Sequence, residues 1–368
     1  MDQSDLFYTL ALLRVEGIGD ITAKKLLQQC GTAKNIFEEK PHKLQKIDGI
    51  GQITLSKLAD TSVFEAAEKE LKFIETENIK VQYFQDILYP ERLKHCIDAP
   101  VLLFSSGNIS IDNQPIISIV GTRNMTSYGN SFLKTFIEEI AFFKPIIVSG
   151  FAYGVDIHAH TEAMEHNLQT IGVLAHGLNQ IYPATHKKYV AKMEQNGGFL
   201  TEFWSISKPD KENFLRRNRI VAGISEATIV IESAYKGGSL STANLANDYN
   251  REVFAVPGRT TDKYSEGCNN LIKTQKANVI QSAADLVYML NWKLETEKKK
   301  KTVQKQLFVN LEPDEQIVFN FLQQNGKELF DTIALSCEIP VYKLSSLMVT
   351  MELKGVIRPL PGKLFEVI

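Results

Sequence analysis

The stretch IIVSGFAYGVDIHAH, Ile146 to His160, decides how this chain folds. A short β-branched run ends in Ser149-Gly150, and Gly154 follows just before an acidic residue. That is the order of a buried strand, a tight turn and a helix opening near Val155. The first N–H groups of such a helix have no intrahelical acceptor and face outward as an anion site. Asp156 falls in the first helical turn, where a carboxylate complements the helix dipole, so it has a structural reason to be there without catalysis. His158 and His160 stand two apart and leave a helix on nearly opposite sides. A metal pair prefers three- or four-residue spacing, so no metal is expected. Packing, or a hydrogen bond to a neighbouring loop, is the role expected of both.

The same order recurs along the chain. PIISIVG (115–121), TIGVLA (170–175), ATIVIES (227–233) and EVFAVPG (252–258) are short and nearly continuously apolar, as strands covered on both faces are. Amphipathic stretches such as SYGNSFLKTFIEEIAFF separate them. This alternation, from about 114 to 290, predicts an α/β domain with a doubly wound, mostly parallel sheet and helices on both sides. Ligands of such sheets lie beyond the carboxyl ends of the strands, which marks the loops to inspect.

With 368 residues the chain exceeds one compact core, and two or three domains are expected. Residues 1 to about 75 carry helical periodicity, and VEGIGDITAKKLL (15–27) nearly repeats as IDGIGQITLSKL (47–58). Each is the pattern of a helix-hairpin-helix, whose Gly-Ile-Gly turn leaves a helix N-terminus open to a DNA phosphate. The same repeats also serve as interaction folds, and that alternative stays open. Residues from about 77 to 112 read as a connector. LETEKKKKTVQKQ (294–306) reads as a Lys-rich solvated tether. Beyond it the pattern is helix, turn, helix, turn, helix and hairpin, with Pro340 between the second and third helices and VIRPLPGKLFEVI as the wing of a winged helix. Its third helix, VYKLSSLMVTMELKG, has two lysines and several exposed-looking apolar positions. That favours protein docking or weak DNA contact over base reading.

Composition narrows the function. The chain is 44% apolar and 23% charged, with a formal net charge of −2. It has no general basic field, so any nucleic-acid binding must come from a local patch. No apolar run approaches the ~18 residues of a membrane span. The acidic start MDQSDLFYTLALL lacks the basic region of a signal peptide, so no membrane association is expected. Cys30, Cys96, Cys268 and Cys337 show no CxxC spacing. They argue against a disulfide framework or zinc ribbon and suit a reducing cytoplasm.

The strand-end loops carry the chemistry. In SIVGTRNMTSYG, the Gly121 turn, Thr122 and Arg123 precede a capped helix from about Ser127, a weak anion site by itself. Neither GxGxxG nor a Walker loop is present, so the standard dinucleotide and ATP devices lose support and no cofactor is expected. GLNQIYPATHKKYV offers Tyr182 as a stacking face and Lys187 and Lys188 at a helix start. NFLRRNRIVAGIS sets Arg216, Arg217 and Arg219 around Asn218, beside Phe214, which suits phosphates plus a stacked base. Pairing of those arginines with Asp210 and Glu212 is the competing role. In ESAYKGGSLSTANLA, Lys236, Gly237, Gly238 and Ser239 converge on an anion. No nucleophile–base pair, Ser-His-Asp order or paired carboxylates stand out, so no enzyme is expected. Successive phosphate cradles beside an aromatic suit a polymer better than one nucleotide.

Assembled in order, VGTRNMTSYG, SGFAYGVDIHAH, GLNQIYPATH, FLRRNRIVAGIS, GGSLSTANLA and VFAVPG followed by SEGCNNLI resemble the DNA-processing protein A family (DprA/Smf) across roughly residues 80 to 290. The resemblance implies a Rossmann-like domain at 77–292, flanked by an all-α SAM-like domain at 1–76 and, after a linker at 293–306, a winged helix at 307–368. It implies a cytoplasmic single-stranded DNA-binding protein of natural transformation. Such a protein protects incoming strands, helps load the RecA recombinase, is a homodimer and catalyses nothing. Carried over by motif, Arg123, the Ser149–Gly150 turn, Lys187, Phe214, Arg217 and the loop Lys236, Gly237, Gly238 and Ser239 form the DNA pocket. Phe151, Tyr153, Arg216, Asn218 and Arg219 complete the candidate set. Where the family usually reads Gly-Gly-Ala-Arg-Gly, this chain reads Gly150-Phe151-Ala152-Tyr153-Gly154. Tyr153 thus exchanges a charge for a stacking face, and Leu215 replaces a common proline. The rival is a nucleoside-monophosphate phosphoribohydrolase of the same Rossmann-like superfamily. Its catalytic phrase would map near 236–244, where KGGSLSTAN has no carboxylate. A nuclease would need clustered acids, and the loops carry arginines instead.

Overall fold

A computed structural model describes residues 1–47, 49–111, 114–293, 311–360 and 364–367. The chain divides into two compact units, Met1–Leu294 and Glu295–Ile368. The Lys-rich tether, from residue 294 onward, and the Pro-Gly turn of the wing lie outside the described residues.

The first unit is built on a nine-stranded sheet. Its strands are β1 (Lys80–Tyr83), β2 (Leu102–Gly107), β3 (Ile116–Val120), β4 (Ile146–Ser149), β5 (Thr170–Val173), β6 (Gly197–Thr201), β7 (Ala227–Val230), β8 (Glu252–Ala255) and β9 (Asn278–Val279). They lie in the order β1-β2-β6-β5-β4-β3-β7-β8-β9. From β6 across to β9 every pair is parallel, whereas β1–β2 and β2–β6 are antiparallel. Successive strands run outward from β3 to β6; β7 then returns to the other side of β3. This is the doubly wound order, and its reversal lies between β3 and β7.

The apolar runs form strands because both faces are covered. In β3, Ile117 and Ile119 enter a core under helices Ser127–Ile140 and Val155–Glu165. Ile116 and Val120 enter the opposite core, which also receives Ile220 and Val221 of helix Lys211–Ile224 and Ala243 of helix Ser239–Asp248. Alternation with period two thus feeds two cores from one strand. Each fully buried branched side chain contributes about 1.5–3 kcal/mol.

Strands β1, β2 and β6 differ from the sequence reading. The expected connector supplies β1 and β2, because the run from Val101 to Phe104 is fully apolar and buried. The GGFLT stretch forms β6, which its paired glycines disguised. A Cβ at Gly197 or Gly198 would collide with the carbonyl of Thr170 or Ser106, and both glycines hold positive φ. There glycine lets neighbouring strands close in.

The N-terminal helices pack directly on this sheet. Leu10, Leu12 and Leu26 share a core with Val101, Leu102, Phe104 and Trp204. The first Gly-Ile-Gly turn ends at Gly19, ahead of helix Asp20–Cys30. Asp20 occupies that helix start itself, accepting the Val101 N–H at 2.9 Å and pairing with Arg219 at 3.0 Å. Through Asp20 the start of this first repeat is tied to the backbone at Val101 and to Arg219.

The second unit folds as a three-helix winged domain. Helices Pro313–Asn325, Phe330–Ser336 and Val341–Leu353 precede the antiparallel pair Ile357–Leu360 and Leu364–Val367. Val318, Leu322, Ile333, Leu344, Met348 and Met351 form its core. Among the described residues no single helix is long and apolar enough to cross a membrane.

Candidate nucleic-acid site

The reversal between β3 and β7 leaves a crevice at the carboxyl ends of these strands, where doubly wound sheets bind ligands. A cavity of about 630 Å³ fills it. Its walls are the loops after β3, β4 and β7 and the first turns of helices Lys211–Ile224 and Ser239–Asp248.

Arg123 is exposed at its rim, with the guanidinium carbon 5.3 Å from the centroid of the Phe214 ring. The Tyr182 ring lies 5.8 Å from Phe214, tilted by 58°. Helix Ser239–Asp248 has no side-chain cap at Gly238, and among the described residues the Gly238 and Ser239 N–H groups donate to no acceptor. Asn124, Lys211 and Asn218 also face the cavity. A cation, an aromatic pair and an open helix N-terminus therefore surround one space, the chemistry of a phosphate with a base attached.

The loops that carry these groups are fixed to each other. The Thr122 N–H donates to the Glu232 carbonyl at 2.7 Å. The buried Glu232 carboxylate accepts the Thr126 N–H at 2.8 Å, at the cap of helix Ser127–Ile140. Gly154 has φ +74°, and a Cβ there would collide with the Thr122 carbonyl. The β4 loop thus lies backbone to backbone on the loop that presents Arg123, a contact that glycine alone permits.

Residues 80–291 match the family model described as DNA recombination-mediator protein A. The chain belongs to this family. Residues 9–61 match a SAM-like helix-hairpin-helix tandem, and residues 306–363 match a DprA winged helix domain. Protein Smf of Synechocystis sp. is 33% identical over 297 residues, covering 79% of this chain and 74% of that protein. DNA processing protein DprA of Bacillus subtilis is 40% identical over 199 residues, covering 54% of this chain and 67% of its own length. Among solved structures, DprA of Streptococcus pneumoniae superposes with a TM-score of 0.65 at 29% identity, covering 77% of this chain and 97% of that one. DNA processing protein A of Helicobacter pylori superposes with a TM-score of 0.52 at 31% identity, over 58% of this chain and 95% of that one. That structure was reported for its single-stranded DNA binding mode.

Within the family frame, the candidate residues separate by geometry. Arg123, Gly150, Phe214, Arg217, Asn218, Gly237, Gly238 and Ser239 line the cavity. Lys187 and Lys236 are exposed but do not line it, and Tyr153 belongs to an adjoining cavity. Ser149 is fully buried and its hydroxyl donates to the Ile119 carbonyl at 2.6 Å, so it is no ligand contact. Phe151 is also fully buried, packed edge-on against His186 and Phe199, and anchors the loop from below. Arg216 and Arg219 turn away from the cavity: both pair with Glu202, at 2.7 and 2.5 Å, and with Asp20. The competing expectation of partners at Asp210 and Glu212 named the wrong carboxylates; Asp210 caps its helix through the Asn213 N–H.

Helical spacing explains the division. Arg216 and Arg219 stand three apart on one side of helix Lys211–Ile224. Lys211, Phe214, Leu215 and Asn218, at i, i+3, i+4 and i+7, share the side that lines the cavity. This spacing is the signal that could have found Lys211 and separated the three arginines.

Arg217 lines the cavity but is only 4% exposed. Its Nη1 donates to the Gly150 carbonyl at 2.6 Å and to the Val173 carbonyl, tying the ends of β4 and β5 together. A Cβ on Gly150 would lie 2.5 Å from the guanidinium and 2.6 Å from the Asp156 carboxylate, so only glycine fits between these charges. Burial pushes Asp156 above the usual carboxylate range, with Arg217 opposing the shift. Burial likewise brings Arg217 down to about 10, opposed by Asp156. Asp156 is thus the buried counter-charge of Arg217 as well as a first-turn residue.

The two histidines of this segment part ways. His158 Nδ1 meets the Gly154 carbonyl at 2.8 Å, and the buried His160 Nδ1 meets Thr170 Oγ1 at 2.7 Å. Burial holds His160 down to about 3, with His186 and Arg217 adding to the effect. The unfolded chain takes up a proton near pH ~6.5, where the native imidazole stays neutral. Its contribution to stability is therefore complete above ~6.5 and is lost as pH falls toward its folded value. His160→Gln is expected to reduce the acid sensitivity of unfolding by about 1 kcal/mol per pH unit between roughly pH 6 and 4. Urea unfolding across that range measures this, and an unchanged slope would show an imidazole that titrates normally.

Proposed function

We propose that this chain binds single-stranded DNA, without reading its sequence, in the cavity at the strand-order reversal. The observation that carries the reading is Arg123 over the Phe214 ring, itself beside Tyr182, next to the uncapped start of helix Ser239–Asp248. Every base has a π-face, so an aromatic pair accepts any of them, while the cation and the helix start take the backbone. Duplex DNA offers no unstacked base to this pair. The Helicobacter pylori relative, reported for its single-stranded DNA binding mode, supports the reading.

In this account the protein acts in the cytoplasm as a homodimer, protects single strands during natural transformation and delivers them to the RecA recombinase. The functional division is a helical region at 1–76, the DNA-binding α/β domain at 77–292, a linker at 293–306 and the winged helix at 307–368. The role is one of binding, which the relative reported for its single-stranded DNA binding mode supports. Incubation with AMP is accordingly expected to release no free base.

The test is a salt-dependent binding assay with oligo-dT against duplex of equal length. Oligo-dT should bind more tightly, with affinity falling linearly in log K against log salt. Equal or absent binding of the two would overturn the reading.

A further inference from the structure

A second cavity, of about 590 Å³, adjoins the first and shares Arg123 and Asn124 with it. Met125, Tyr153, Gly154, Ile157 and His158 form the rest of its wall. Tyr153 is a large aromatic left 45% exposed here, and its position is fixed. Its ring packs edge-on against His186, with centroids 5.0 Å apart, and its hydroxyl lies 3.2 Å from Thr185 Oγ1. His186 is itself buried, holds the Phe151 carbonyl at 3.1 Å and packs on the Phe151 ring. The exposed ring is therefore mounted on the core through two aromatic neighbours. Its register against Arg123 is set by the close approach of Gly154 to the Thr122–Arg123 backbone.

We propose that Tyr153 is a second base-stacking platform, so that Arg123 lies between two base subsites: Phe214 with Tyr182 on one side and Tyr153 on the other. This rests on the single-stranded DNA reading above and names a subsite within it. The wall of the second cavity supplies the exposed face of Tyr153 and the guanidinium of Arg123, which also serves the first cavity. A ligand that matches both must bring a planar ring close to a negative charge, as a nucleotide does. Because the platform accepts any base, it lengthens the bound strand without adding sequence preference.

The experiment compares the full chain with Tyr153→Ala and Tyr153→Phe, on oligo-dT and on an abasic deoxyribose-phosphate strand of equal length. Tyr153→Ala should weaken oligo-dT binding about 5- to 100-fold, the range for loss of one base–aromatic stack. Tyr153→Phe should bind within about twofold of the unmodified chain, since the stacking face is kept. The salt slope should be unchanged in both, because no phosphate contact is lost. The abasic strand should bind equally to all three. The assignment is overturned if Tyr153→Ala binds oligo-dT as well as the unmodified chain does. It is overturned equally if the abasic strand loses as much, or if Tyr153→Phe falls with Tyr153→Ala. Failure of the unmodified chain to bind oligo-dT is a separate result that overturns the single-strand reading itself.

Discussion

Arg217→Ala is expected to destabilise the first unit by about 3–5 kcal/mol, the range for leaving a buried charge without its counter-charge. The substitution strips the Gly150 and Val173 carbonyls of their donor and leaves Asp156 facing an empty space. A side chain only 4% exposed has little water to replace what it loses. Arg217→Lys should recover part of the loss, because an ammonium keeps the charge but lacks the planar fork that reaches two carbonyls. Urea unfolding followed by tryptophan fluorescence measures both variants. A cost below about 1 kcal/mol would mean that the guanidinium is solvated, and would return Arg217 to the group of direct phosphate contacts.

Arg123→Ala is expected to leave stability nearly unchanged and to weaken oligo-dT binding by about 10- to 100-fold. Arg123 is exposed and, among the described residues, forms no ion pair. Its whole charge is therefore available to a phosphate, and a hydrogen bond to a charged group contributes about 1.5–3 kcal/mol. Losing one neutralised phosphate should also flatten the slope of log K against log salt by about 0.7, the single-strand value. Arg216→Ala is the control. Its guanidinium already lies 2.7 Å from Glu202, so its removal should change neither the affinity nor the slope by a comparable amount. Equal effects at Arg123 and Arg216 would place the strand on the wrong side of helix Lys211–Ile224.

Much of the fold is legible in the sequence, because β-branched runs bounded by glycine can hardly become anything but covered strands. β3, β4, β5, β7 and β8 fall within the runs read that way. β6 escaped because its opening Gly-Gly looks like a turn; only the close approach of Thr170 and Ser106 explains those glycines. β2 escaped because its apolar run, residues 101–104, lies in a proline-bearing stretch that reads as a connector. The candidate site was legible in residue type but not in direction. Phe214, Arg123 and the Gly237–Gly238 turn meet in the cavity, as charge and stacking chemistry suggested. Ser149 and Phe151 belong to one phrase yet are buried, Ser149 as the last residue of the covered strand β4 and Phe151 because a loop lying on a sheet must bury something. The partners of Arg216 and Arg219, Asp20 and Glu202, come from distant parts of the chain. No local spacing could name them.

The same contacts tie the N-terminal region to the α/β domain. Asp20 holds the Val101 N–H and pairs with Arg219 and Arg216, on the helix whose other side presents Phe214 and Asn218 to the cavity. The first helical repeat and helix Lys211–Ile224 are therefore one packed body within the first unit.

Photocrosslinking of the full chain to an oligo-dT carrying 4-thiothymine, followed by peptide mapping, tests the central claim most directly. Adducts are predicted on Tyr182 and Phe214, competed away by unlabelled oligo-dT and reduced in Arg123→Ala. Adducts confined to residues 1–76 or to the winged helix, with none in the loops after β3 and β5 or on helix Lys211–Ile224, would contradict the account.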